Sequence, residues 1–175
     1  MVNLAEMLLK VGALKFGDFL LSSGKRSNVY VDIKLASTYP EVLEEIALEI
    51  TKKLEKLDFD KIACVELGGV PIAVAVSLKV KKPLVIFRKQ KKDYGVMEDR
   101  VGVVNEGEKF VLIEDVVTTG RSALSAVERI ERSGGKVVKI FAVVDREESS
   151  LEIESLLKLS DLLKAKDFID PSKNI

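Results

Sequence analysis

Glu114 and Asp115 stand side by side after the hydrophobic run Phe110 to Ile113; Val116 and Val117 follow, then the turn Thr118-Thr119-Gly120-Arg121-Ser122. Adjacent carboxylates at a strand end can accept hydrogen bonds from hydroxyls or help to hold a cation. The turn opens a helical pattern, ALSAVERIERSG. Free N–H groups and the helix dipole favour an anion at such a start. In an open α/β sheet, ligands bind outside the carboxyl ends of the strands. Two acids beside an anion cradle conflict in charge, unless the ligand carries both a diol and a phosphate. A ribose 5′-phosphate does: the carboxylates accept from its hydroxyls and the turn holds its phosphate. Helix capping explains one of Asp115, Thr118 or Thr119, but neither the extra Glu114 nor the Gly120 turn.

Two further clusters sit at strand ends. RKQKKDYG follows the run PLVIFR, so Arg88, Lys89, Lys91 and Lys92 lie near the face that holds the acids. Such cations on a mobile lid suit a leaving polyanion. The turn ELGGVP, after IACVEL, offers Gly68 and Gly69 for close ligand approach and backbone anion binding. No P-loop or GxGxxG pattern occurs, so ATPase and dinucleotide readings lose support.

The elements that position these groups alternate. Residues 2–13 read as an amphipathic helix. FGDFLLSSGKRSNVYVDIKLA reads as two short strands around SSGKRSN. Pro40 opens a helix with apolar Val42, Leu43, Ile46, Ala47, Ile50 and Leu54. IACVEL, PLVIFR, FVLIED and KVVKIFAVVD read as buried strands, with VPIAVAVSLKV and the segment after Ser122 as helices between them. LEIESLL adds a short strand before the helix LSDLLKA, and Gly102 to Val104 another. Repeated β then α units predict an α/β fold, a mostly parallel sheet flanked by helices. Residues 88–109 lack period over most of their length, which marks either a functional lid or a disordered segment.

The 175 residues, 47% hydrophobic and 32% charged, suit one globular domain. Zero formal net charge argues against nucleic-acid binding through bulk charge. No apolar run is long enough for a membrane span and no secretory leader pattern is present, so a cytoplasmic location is expected. The chain has no histidine, which excludes imidazole catalysis and histidine-built zinc sites or triads. Its one cysteine, Cys64, reads as a small core residue.

The segment FVLIEDVVTTGRSA resembles the phosphoribosyl pyrophosphate (PRPP) signature of type I phosphoribosyltransferases. LKFGDFLLSSGKRSNVYVDIK, FRKQKKDYG and VVDREE are similar to the base-recognising hood, the lid and a strand end of orotate phosphoribosyltransferases, from about Leu14 to Leu163. The resemblance implies a single domain: a hood at about 1–38 plus the C-terminal segment, a core at about 40–146 and a lid at about 89–103. It implies Mg²⁺ held mainly by PRPP, with Glu114 and Asp115 as its possible protein ligands and otherwise as ribose ligands. Val116 to Ser122 (Val116, Val117, Thr118, Thr119, Gly120, Arg121, Ser122) would form the ribose-phosphate loop. Arg88, Lys89, Lys92, Tyr94, Gly68 and Gly69 would meet pyrophosphate, with Lys89 and Lys92 delivered from the partner of a homodimer. Arg88, Lys89, Lys92 and Asp115 would be the catalytic set. Thr118, Arg146, Tyr30 and Val31 would bind orotate, Arg146 through its carboxylate. The sequence departs from the pattern at Ser22 and Gly68, where many relatives carry Lys, and at Tyr94, where many carry His. Two alternatives stay open: transfer to another base, and a PRPP-binding regulator without catalysis.

Overall fold

The computed structural model describes residues 3–21, 24–89 and 99–169. Five strands run parallel: β3 (Lys61–Val65), β4 (Leu84–Phe87), β6 (Lys109–Val117), β7 (Lys136–Asp145) and β8 (Glu154–Lys158). A two-residue strand, β5 (Arg100–Val101), pairs antiparallel with β4. The order across the sheet is β5-β4-β3-β6-β7-β8. A separate antiparallel pair, β1 (Leu14–Leu20) and β2 (Arg26–Val31), forms the small N-terminal sheet. This is the expected α/β architecture with its hood.

Helices cover both faces. On one side lie α3 (Pro40–Leu54) and α4 (Gly69–Val80); on the other lies α5 (Arg121–Arg132). The two faces are written into β6 by the two-residue period of a strand. Val111 and Ile113 join Ile46, Ile50, Ile72 and Val76 from α3 and α4. Phe110 and Leu112 join Ala123, Ala126 and Ile130 of α5. Cys64 of β3 is fully buried against α4, and burial first, then the charge of Glu114, pushes its thiol up to about 12. It is an inert packing residue. Helix α1 (Leu4–Lys10), capped by the Asn3 side chain on the Glu6 N–H at 3.0 Å, and α6 (Leu159–Ile169) complete the chain. Among the described residues, no helix is long and apolar enough to cross a membrane.

Topology locates the site. From β3 through α4 the chain moves outward to β4; from β6 through α5 it moves the opposite way to β7. The connections diverge between β3 and β6, leaving a crevice beyond their carboxyl ends. Residues 66–68 and 114–118 border that crevice.

Two expectations need correction. The strand placed at Gly102 to Val104 lies earlier, at Arg100–Val101. Gly102 has φ +100°, and a Cβ there would stand 2.8 Å from the Leu84 carbonyl, so the strand ends before it. The tail of the second hood strand is instead a one-turn helix, α2 (Ile33–Ala36). Asp32 ends the strand by turning its carboxylate onto the Leu35 N–H at 3.1 Å, the N-cap interaction that starts a helix.

Candidate active site

The last residues of β6 bring Glu114 and Asp115 to the crevice with only 4% and 8% of their surface exposed. Asp115 is wedged between Gly68 and Lys34. A Cβ on Gly68 would stand 1.8 Å from Asp115 Oδ2, so only glycine fits there while the carboxylate keeps its place. On the other side, Lys34 Nζ lies 2.8 Å from the same oxygen. Burial lowers the Lys34 pKa, but its hydrogen bond and charge attraction to Asp115 outweigh this and hold it above the ordinary lysine value. Glu114 has no such partner: its Oε1 is buried without a hydrogen bond among the described residues. Burial first, then the charge of Asp115, pushes its carboxyl up to about 8; Ser122, Lys34 and Lys89 pull the other way. Such a carboxyl keeps its proton at neutral pH until a cation or another donor enters.

Beyond the acids the chain turns over Thr118 and Thr119 into α5. Gly120 sits at φ +78°, and a Cβ would come within 2.5 Å of Ser149 Oγ and 2.7 Å of Leu151 Cδ1. Glycine is therefore required by both dihedral and space. No side chain caps α5. The capping explanation for Thr118 and Thr119 thus fails, and the first N–H groups of the helix face the crevice without a side-chain acceptor. Val116, Val117, Thr118, Thr119, Gly120, Arg121 and Ser122 all line one lobe of a cavity, about 330 Å³, together with Glu114, Arg88 and Lys89.

The far wall of this lobe is built from the end of β4. The Lys89 N–H donates to Glu66 Oε1 at 3.1 Å. The Arg88 side chain keeps a buried Nε with no acceptor among the described residues. Arg129, from α5, donates to the Arg88 carbonyl at 2.8 Å and, through Nε, to Asp99 Oδ2 at 2.7 Å. It also donates to the Asp99 carbonyl, and its guanidinium lies 4.8 Å from the Phe87 ring centre. Arg88 and Asp99 are thereby fixed to the helix that carries the anion loop. Lys89, which the resemblance assigns with Lys92 to the partner's site, instead lines its own chain's cavity. Lys91, Lys92 and Tyr94 fall outside the described residues, as does Ser22.

A second lobe, about 540 Å³, opens towards the hood and shares Lys89, Glu114, Val116, Thr118 and Ser122 with the first. Its walls include Tyr30 and Val31 of β2, Gly68, Asp115 and Arg146. Gly69 lies behind Gly68, buried against the Ile113 carbonyl. The peptide between Glu66 and Leu67, on this wall, is cis. Arg146 is 6% exposed. Its NH1 donates to the Val29 carbonyl at 3.3 Å and its NH2 to Ser27 Oγ at 2.8 Å. Its Nε stands 3.5 Å from Glu148 Oε1, close enough for charge attraction but not for a hydrogen bond. A solvated surface ion pair does not describe this buried guanidinium. Lys25 pairs with Glu148 at 2.8 Å and Arg26 pairs with Asp18, so neither hood cation points at the crevice.

Lys34, Glu66, Ser27 and Arg129 were not foreseen. Only Lys34 carried a local signal, the helix-starting Asp32 two residues before it.

The family model described as "Phosphoribosyl transferase domain" matches residues 38–171. The chain is 66% identical over 99% of its length to the orotate phosphoribosyltransferase of Archaeoglobus fulgidus, all of which is covered. The crystal structure of the orotate phosphoribosyltransferase from Aeropyrum pernix superposes with a TM-score of 0.83 at 29% identity, covering 95% of this chain and 99% of that one. The structure of Leishmania donovani UMP synthase superposes with a TM-score of 0.84 at 31% identity over 98% of this chain; the chain spans 40% of that longer protein. A crevice at the topological switch, an acid pair over a glycine-shaped anion loop and these similarities lead to one assignment: the chain belongs to the orotate phosphoribosyltransferase family of type I phosphoribosyltransferases.

Proposed function

We propose that the chain transfers the 5-phosphoribosyl group of PRPP to orotate, giving orotidine 5′-monophosphate and pyrophosphate in pyrimidine (UMP) biosynthesis in the cytoplasm. The observation that carries this reading is the buried Arg146. Two of its five N–H donors engage the hood, its Nε stands beside Glu148, and the residue lines a cavity continuous with the anion loop. A planar fork recognises a carboxylate. Orotate carries one, whereas a purine base does not.

In this reading the first lobe takes the ribose 5-phosphate. The loop 118–122 donates to the phosphate, and Glu114 and Asp115 accept from the ribose hydroxyls. The diphosphate lies along Gly68, Arg88 and Lys89, with Lys92 and Tyr94 added from the lid. The unpaired Arg88 Nε and Glu114 Oε1 are a donor and an acceptor still without partners among the described residues, as a ligand site needs before it is filled. Orotate occupies the second lobe between Tyr30, Val31, Thr118 and Arg146. The C1–diphosphate bond breaks towards an oxocarbenium-like state, and the cations on the far wall hold the charge that develops on the leaving group. Exclusion of water by the closed lid protects the cation from hydrolysis.

Mg²⁺ fits this arrangement as a companion of PRPP. Among the described residues, no group of three His, Cys, Asp or Glu side chains could hold a metal. Mg²⁺ commonly binds through one or two carboxylates plus substrate phosphates and water. Glu114 and Asp115 would supply the carboxylates. When bound, Mg²⁺ would supply neutralising charge to the leaving diphosphate. The working unit in this reading is a homodimer in which Lys92 reaches the partner's site.

The test is the ultraviolet absorbance of orotate on mixing with protein, PRPP and Mg²⁺, with purine bases in parallel. Loss of the orotate signal that requires both PRPP and Mg²⁺ is the expected result. Turnover of a purine and not of orotate would overturn the base assignment.

A further inference from the structure

The charge conflict of the site has an unassigned participant. Glu114 and Asp115 face a cavity that, on the reading above, receives a ligand with three phosphate groups. A carboxylate beside such a polyanion repels it unless its own charge is balanced. The described structure contains that balance. Lys34, from the one-turn helix α2, reaches across 81 positions of sequence to Asp115 Oδ2 at 2.8 Å. It engages Oδ2 only, and the carboxylate retains acceptor sites for a ribose hydroxyl. Gly68 lies against the opposite side, where the absence of a Cβ leaves the space the carboxylate occupies.

The placement of Lys34 is built. Asp32 caps α2 and also pairs with Lys15 at 3.2 Å, which fixes the turn that presents Lys34. The Lys34 side chain remains 55% exposed while that of Asp115 is 12% exposed. It therefore stands at the mouth of the lobe shared with Tyr30 and Arg146 rather than in the core.

We infer that Lys34 is a positioning residue: it holds the Asp115 carboxylate against Gly68 and offsets its charge, so that a ribose-diphosphate ligand can use the acid without being repelled by it. Lys34 acts through Asp115 and not by touching the ligand. The hood thus shapes the ribose site as well as the base pocket. This inference rests on the reading of the crevice as a PRPP site.

A double-mutant cycle separates the possibilities. PRPP affinity is measured by calorimetry for the wild type, Lys34→Met, Asp115→Asn and the double variant, with Lys34→Arg as the conservative control. In the wild-type background Lys34→Met should weaken PRPP about tenfold, the loss of one charge-assisted contact. In the Asp115→Asn background the same change should cost less than about twofold, because little coupling remains to lose. Lys34→Arg should recover most of the affinity. Orotate KM should stay within about twofold of wild type in Lys34→Met, a split that a general loosening of the fold would not produce. An equal loss in both backgrounds would overturn the inference in favour of direct contact with PRPP. Unchanged or tighter PRPP binding in Lys34→Met would also overturn it, the latter making Lys34 a competitor for Asp115. Failure of the wild type to bind PRPP at all would refute the reading of the crevice on which the inference stands.

Discussion

Gly68→Ala isolates what the position of Asp115 is worth. The backbone of Gly68 is right-handed helical, φ −64° and ψ −37°, so alanine meets no dihedral penalty. Gly to Ala at a compatible position adds about 0.4–1 kcal/mol of stability. The cost falls on one neighbour. The new methyl would stand 1.8 Å from Asp115 Oδ2 and 2.2 Å from its Cγ, whereas an ordinary contact begins at 3.4 Å. The carboxylate must move by roughly 1.5 Å, and its 2.8 Å contact with Lys34 breaks. Loss of a half-exposed ion pair costs at most about 1 kcal/mol, so the two stability effects nearly cancel. Misplacing a catalytic group by about 1 Å can cost about 100-fold in rate. The expected outcome is a melting temperature within about 4 °C of wild type and kcat/KM for PRPP lower by about 100-fold. Both are read by thermal denaturation and by the orotate absorbance assay. A folded Gly68→Ala protein with unchanged kcat/KM would refute the reasoning, because the acid would then not be needed where Gly68 and Lys34 hold it.

Arg146→Ala should lower kcat/KM for orotate by at least about 100-fold, as expected for losing a buried charge-assisted fork, while calorimetric PRPP affinity stays within about threefold; equal losses in both would remove the base-pocket role. Gly120→Ala should destabilise by roughly 2–4 kcal/mol, from a positive φ and from overlap with Ser149 and Leu151, and abolish turnover; a melting temperature equal to wild type would contradict this. Glu114→Gln tests the proton on the buried acid. Its folded pKa is raised from 4.5 to about 8, so the folded state keeps a proton that the unfolded chain has lost. Wild-type stability should therefore fall as pH rises from about 5 to 8 without Mg²⁺, and Glu114→Gln should lack that part of the slope, a difference on the order of a few kcal/mol; parallel stability profiles would refute the assignment. Mixing Lys92→Ala with Asp115→Asn should restore part of the activity if the lid serves the partner's site, since some mixed dimers then hold one intact site; no recovery after verified subunit exchange would place the lid in its own subunit.

Parts of this site were legible because their causes are local. A buried strand, two acids and a glycine turn into an amphipathic helix are all encoded within residues 110–132. Gly120 shows why: its φ of +78° is a property of the turn itself. The hood strands, the helix from Pro40 and the order of β and α units were readable from period and punctuation in the same way. The one-turn helix α2 was not, because four residues carry too little period to separate a helix from the end of a strand. The strand β5, two residues long, was displaced for the same reason. Arg129 looked like one more cation on a helix face; its ties to Arg88 and Asp99 exist only because α5, packed on β3, β6 and β7, brings that side chain within reach of the ends of β4 and β5.

Lys34 shows where the limit lies. Two carboxylates beside an anion cradle conflict in charge, and in the sequence alone only a ligand offers the resolution. Half of that answer follows from chemistry, since a diol and a phosphate do suit the two parts of the site. The other half needs the fold. Lys34 and Asp115 are 81 positions apart, on a hood turn and a central strand, and Ser27 and Arg146 are 119 apart. No period or spacing links such pairs; the hood must first be laid over the switch point between β3 and β6. The charge conflict itself was the available signal. An acid pair kept at 4% and 8% exposure cannot wait for its ligand without some counter-charge or a retained proton. This site uses both: a lysine holds Asp115, and burial keeps the proton on Glu114. The next such motif met in a sequence therefore warrants a search of the remote hood segments for the cation that makes its acids tolerable.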